Sequence, residues 1–145
     1  RCFMAVVDLY VFTYGTLKPG GRYHQRYCSD GLMAATAALT QGELYDFPQL
    51  GYPAMIEGDF WVHGYLLHFQ SGSSQIQQIL QGLDVLEGYS PRRHPHENDY
   101  QRCKKPIFDL DRVSLRSAWV YQMSFEKVNQ LGGIHLPEGD WPHLA

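Results

Sequence analysis

At 145 residues, with 44% hydrophobic and 19% charged residues, the chain has the size of one globular domain, able to bury about two thirds of its unfolded surface without staples. Its formal charge of −3 offers no basic surface to nucleic acid or anionic lipid, which leaves small molecules or proteins as the expected partners. Three cysteines, Cys2, Cys28 and Cys103, show no Cys-x-x-Cys spacing, so neither a disulfide framework nor a zinc knuckle is indicated, and a reducing, cytoplasmic setting is expected.

The apolar opening from Phe3 to Phe12 is broken by Asp8 and lacks a small-residue cleavage pattern. It reads as a first strand rather than a signal peptide, and it is too short to span a membrane. Asp8 to Tyr14 alternates as a strand with one buried face, then runs into Gly15-Thr16-Leu17-Lys18-Pro19-Gly20-Gly21, where glycine and proline supply turn geometry and close backbone approach. Such a loop presents N–H groups to an anionic or carbonyl-like group. A phosphate-binding Walker loop needs Gly-Lys-Ser/Thr at the helix start, and this chain has Gly-Gly-Arg, so a nucleotide is the weaker reading.

Tyr23 to Leu39 reads as a short helical or irregular piece covering a sheet. Thr40 to Phe47 and Ala54 to Ile56 read as strands, joined by Pro48-Gln49-Leu50-Gly51-Tyr52-Pro53. The apolar tips of that turn suit packing against a neighbouring loop or the wall of a pocket. Asp59 to Phe69 is a long strand with both faces apolar, and Gly64 within it suggests a bulge or tight bend. Ser73 or Ser74 is a natural N-cap for a helix beginning at Gln75.

Gln75 to Glu87 is the principal helix. Ile76, Ile79, Leu80, Leu83 and Leu86 form one stripe at helical spacing, and Glu87 falls on it too, eleven residues after Ile76, seven after Leu80 and four after Leu83. Gly88 stands where a helix terminator belongs. A carboxylate on the core-facing stripe, at the negative end of the helix dipole, is expected to have a raised pKa and so to shuttle protons near neutral pH. Periodicity alone also allows the helix to end sooner, with Glu87 pointing to water or pairing with Arg92 or Arg93.

Ser90 to Asn98 is a loop containing His94-Pro95-His96-Glu97. Two histidines bracketing a proline, with neither a third ligand nor a Cys pair beside them, read as a solvated loop over the site rather than zinc ligands. Tyr100 to Ile107 and Ser114 to Met123 are two further strands, and the Gly- and Pro-rich tail from Gln130 is expected to lie over the surface. The sum is α+β: a single domain over residues 1–145, with five to seven mostly short strands around one principal helix.

Val11 to Gly20, reading VFTYGTLKPG, resembles the opening signature of the γ-glutamylcyclotransferase-like family, which includes avirulence-induced-gene-like proteins and γ-glutamylamine cyclotransferases. Further segments occur in the family's order: Leu44-Tyr45 with Gly51-Tyr52-Pro53-Ala54, then LDVLEGY from Leu83 to Tyr89, then Tyr100-Gln101-Arg102, then Ala118-Trp119-Val120-Tyr121. The resemblance implies a compact, mixed, barrel-like sheet with flanking helices. It also implies a cyclisation in which the α-amino group of a γ-glutamyl compound attacks its own γ-carbonyl, releasing 5-oxoproline and an amine or amino acid. Such a reaction takes its nucleophile from the substrate and needs no cofactor and no metal.

By the same resemblance Glu87 is the general base and acid, and Tyr14, Gly15, Thr16 and Leu17 hold the γ-glutamyl part. Tyr100 and Arg102 match an aromatic-plus-basic pair, and Trp119 or Tyr121 walls the pocket; for these four, packing is an equal alternative. The His-rich insert after Tyr89 departs from the family pattern and bears on which amine leaves. A binding module of the same fold without turnover is the competing reading, against which the inward carboxylate of Glu87 weighs. Oligomeric state is not legible.

Overall fold

The computed structural model describes residues 5–142. The first strand, β1 (Val6–Thr13), pairs antiparallel along its whole length with β3 (Tyr52–Gly72). Strand β2 (Leu32–Phe47) forms a long hairpin with β3, and β4 (Gln101–Phe108) pairs antiparallel with β5 (Ser114–Gln122). The order β3-β1-β5-β4-β2, with β2 returning to β3, closes a ring. Two of its seams are thin: β1 meets β5 in parallel at Val11 and Trp119, and β2 meets β4 at Leu39 and Phe108. A short β6 (Ile134–Leu136) extends the sheet beyond β2. The barrel-like α+β architecture with one main helix is the one expected.

Among the described residues three α-helices flank the ring, α1 (His24–Cys28), α2 (Ser73–Leu86) and α3 (Phe125–Gln130), and a single 3-10 turn spans Pro95–Glu97. Helix α2 lays Ile76, Ile79 and Leu83 against Leu9, Leu67 and Phe69 of the sheet, while Gln77, Gln78 and Gln81 face solvent, as the stripe requires. A second cluster around Phe12, Leu44, Met55, Val62 and Val120 fills the other part of the core. Burying a side chain of this kind contributes about 1.5–3 kcal/mol. Among the described residues, no helix is long and apolar enough to cross a membrane.

Several local expectations are corrected. Residues 32–39, read as part of a covering piece, are the first half of β2: the Ala-rich run favours helix by propensity, but pairing with residues 63–69 of β3 decides otherwise. The two strands expected at Ala54–Ile56 and Asp59–Phe69 are one, because β3 pairs with β2 on both sides of residues 57–60, which lie at a register shift opposite the step from Gln41 to Glu43. Gly64 is not a bulge, since it pairs in register with Ala38; it is a close approach, where a β-carbon would stand 2.6 Å from Phe12 Cζ. The N-cap of α2 is Gly72, without a side-chain cap, in place of Ser73 or Ser74. The tail from Gln130 does not simply drape the surface: β6 joins the sheet, and Trp141 is buried.

Candidate active site

Strand β1 delivers Tyr14 to the end of the ring, where its buried hydroxyl donates to the Tyr121 carbonyl (2.6 Å) and accepts from the Met55 N–H (3.1 Å). The root of the glycine-rich loop is thereby tied to β5 and β3 at once. Beyond it the chain folds on itself. The N–H of Lys18 donates to the Gly15 carbonyl (3.0 Å), that of Gly21 to Lys18 (2.7 Å) and that of Tyr23 to Thr16 (3.0 Å), while His24 Nδ1 lies 2.8 Å from the Leu17 carbonyl. The N–H groups of Gly15, Thr16 and Leu17 take no part in these turn bonds. The far side of the loop is anchored by the buried Lys18, whose ammonium donates to the Trp141 carbonyl at 2.8 Å.

Helix α2 ends at Leu86, one residue before the expected boundary, and Glu87 is its C-cap, with its N–H on the Leu83 carbonyl at 2.9 Å. Gly88 comes next at φ 62, a left-handed conformation that glycine adopts without a Cβ penalty. The loop after it is closed at its base, where the Asp99 N–H donates to Gly88 (2.9 Å) and Asn98 bonds both backbone groups of Ser90 (3.0 and 3.2 Å). Residues 91–97 are exposed, with the rings of His94 and His96 4.3 Å apart. The helix thus ends sooner, as the alternative read from periodicity allowed, but among the described residues neither Arg92 nor Arg93 forms an ion pair with Glu87.

The Glu87 side chain lines a cavity of about 210 Å³, and burial pushes its carboxyl up to about 7. Five tyrosines line the same space, Tyr14, Tyr23, Tyr52, Tyr100 and Tyr121. Burial above all raises Tyr14, Tyr52, Tyr100 and Tyr121, and the Glu87 charge is a further cause for each. Glu87 is thus a charge that several walls of a tyrosine-rich pocket share. A carboxyl that titrates near neutrality in such surroundings can take a proton and return it within one reaction cycle.

Of the residues singled out in the sequence, Tyr14, Gly15, Thr16, Leu17, Glu87, Tyr100 and Tyr121 converge on this cavity. The Tyr100 hydroxyl donates to the Pro53 carbonyl at 2.7 Å. Trp119 is not among the lining residues; its ring carries the guanidinium of Arg102 at 4.5 Å and the ammonium of Lys104 at 4.9 Å. Arg102 sits behind the wall as well, its Nε 2.9 Å from Asp84 Oδ1. Among the described residues, no three His, Cys, Asp or Glu side chains gather as a metal site.

Sequence reasoning missed Tyr23 and Asp99 as lining residues, and it named the turn ending in Tyr52 and Pro53 only as an alternative wall. No local pattern marks Asp99, which reaches the cavity because its loop closes onto Gly88. Asp84 carried a readable signal. It lies four residues after Leu80, on the core side of α2, and it is buried.

Comparison of the sequence with curated proteins finds no match. Among solved structures, a mouse (Mus musculus) AIG2-like protein superposes with a TM-score of 0.64 at 19% identity, over 93% of this chain and 88% of that one. YkqA from Bacillus subtilis gives 0.61 at 18%, over 93% of this chain but 40% of its own, so the chain spans about two fifths of that protein's length. A structure described as a γ-glutamyl cyclotransferase gives 0.50 at 14%, over 81% and 67%. At these identities the superpositions establish the shared fold. Residues 11–143 match the family described as "Gamma-glutamyl cyclotransferase, AIG2-like", a span that begins within β1 and takes in every later element, and the protein belongs to that family.

Proposed function

We propose that this protein is a γ-glutamyl cyclotransferase that converts a small γ-glutamyl amine or amino acid into 5-oxoproline and the free amine, with Glu87 as both base and acid. Membership of the family supports cyclotransferase-type activity in general. The observation that carries the assignment to this site is the carboxyl of Glu87, raised to about 7 by burial, facing the glycine-rich loop across one cavity. The α-ammonium gives a proton to the Glu87 carboxylate, and its nitrogen forms a bond to the γ-carbonyl carbon. The carbonyl oxygen becomes an oxyanion. As the carbonyl re-forms, the bond to the leaving nitrogen breaks and that nitrogen takes the proton back from Glu87. The regenerated carboxylate then removes the second proton from the ring nitrogen, leaving the neutral lactam, and passes it to the released amine, which departs as an ammonium.

The cavity favours the folded substrate this requires. Holding amine and carbonyl together replaces an encounter by an intramolecular step. The N–H groups of Gly15, Thr16 and Leu17, unused by their own turn, are donors for the α-carboxylate or the oxyanion. A panel of γ-glutamyl amines and amino acids, assayed for 5-oxoproline with wild type and Glu87→Gln, tests the reading. Wild-type release with a loss of about 10²–10⁴-fold in the variant is expected. Undiminished turnover by Glu87→Gln, or binding of the panel without release by wild type, refutes it; the latter result identifies a binding module.

A further inference from the structure

Three of the five cavity tyrosines, Tyr14, Tyr100 and Tyr121, have hydroxyls that are not free to choose between donating and accepting. Tyr121 donates to Asp84 Oδ1 at 2.5 Å, and the same oxygen is ion-paired with Arg102 Nε at 2.9 Å. An ion-paired carboxylate only accepts, so the Tyr121 proton points away from the cavity. Tyr100 spends its proton on the Pro53 carbonyl, another group that only accepts. Tyr14 is occupied in both directions, by the Tyr121 carbonyl and the Met55 N–H. What Tyr100 and Tyr121 can still offer a ligand is oxygen lone pairs.

We propose that Asp84, held by Arg102, is a positioning residue that turns the Tyr121 hydroxyl so that its oxygen, together with that of Tyr100, accepts hydrogen bonds from the substrate's α-ammonium. This rests on the γ-glutamyl reading of the cavity. The ammonium carries three N–H groups. One proton goes to Glu87, and the two tyrosine oxygens hold the remaining two, which aims the new lone pair instead of leaving the amine to rotate. The chain of contacts continues outward, since Arg102 lies over Trp119 at 4.5 Å and over Tyr89 at 5.3 Å. Trp119 therefore acts on the site at third hand, by seating Arg102.

The test compares two ligands that differ only at the α-carbon, a γ-glutamyl alkylamide and the matching glutaryl monoamide, which lacks the amino group. Calorimetric binding is measured in the Glu87→Gln protein, with Tyr121→Phe and, separately, Asp84→Leu/Arg102→Leu added to it. The double change removes the ion pair whole and leaves no unpaired buried charge. The γ-glutamyl preference is expected to fall about tenfold or more in both variants, with glutaryl affinity unchanged, as for loss of a hydrogen bond to a charged group. An unchanged preference in Tyr121→Phe, or equal losses for both ligands, overturns the proposal while the γ-glutamyl reading stands. A Glu87→Gln parent that binds the two amides equally overturns both.

Discussion

Gly15 lies against the ring of Pro53, so close that a β-carbon at position 15 would stand 2.8 Å from Pro53 Cδ and 2.9 Å from Cγ. Both residues line the cavity, and the Pro53 carbonyl also receives the Tyr100 hydroxyl. The contact couples the glycine-rich loop to the opposite wall. Gly15→Ala is expected to push the two apart at a cost of about 1–3 kcal/mol in stability. Activity should fall with it. Denaturation midpoints and a steady-state KM check this, and a variant with wild-type KM and stability contradicts the packing.

The pH dependence of turnover is set by Glu87. The carboxyl must be unprotonated in the free enzyme to accept the first proton, and burial places it at about 7. The proposed mechanism therefore predicts that kcat/KM rises about tenfold per pH unit below that value and levels off above it. A profile that is flat between pH 5 and 8 removes Glu87 as the base.

Stability should run the other way. The folded protein holds the Glu87 proton up to about 7, whereas the unfolded chain releases it near the ordinary 4.5. Between these values the native state binds more protons, so this group's contribution declines as pH rises through the window. Glu87→Gln removes the penalty. It is expected to be more stable than wild type by about 1–2 kcal/mol at pH 8, a figure discounted for the carboxyl's partial exposure to the cavity, and no more stable at pH 4. Thermal melts at the two values decide it; equal differences at both refute the burial of this carboxyl.

Tyr14→Phe isolates the loop's anchor. The change keeps the ring but strands the Met55 N–H and takes a donor from the Tyr121 carbonyl, both buried. A cost of about 1–3 kcal/mol is expected, with faster amide exchange at Met55 as the specific sign. Unchanged exchange there would show that the hydroxyl does not hold β3.

Much of this site is legible along the chain. The helical stripe that ends in Glu87 points it inward, because the spacing that buries Leu80 and Leu83 brings the next position on that face to the core. The strand-to-glycine transition at Tyr14 and Gly15 likewise marks where pairing stops and backbone is offered. The limits of β2 and β3 are less legible. Ala-rich residues 34–38 are strand only because a partner strand, residues 64–68, satisfies their backbone, and residues 57–60 continue β3 as an irregularity between two paired segments; neither fact is written in the local sequence.

Local sequence determined what depends on period and backbone freedom: the principal helix, the loop after β1, and a carboxylate turned toward apolar surroundings. Tertiary structure alone decided which residues share the cavity. Tyr14 meets Tyr121, Tyr100 meets Pro53, and Asp84 meets both Tyr121 and Arg102. These are contacts across a closed ring of strands, set by register and by the thin seam between β1 and β5. The direction of a hydroxyl proton depends on its partner, and Tyr121 meets Asp84 across 37 positions of chain, far beyond the reach of any local pattern.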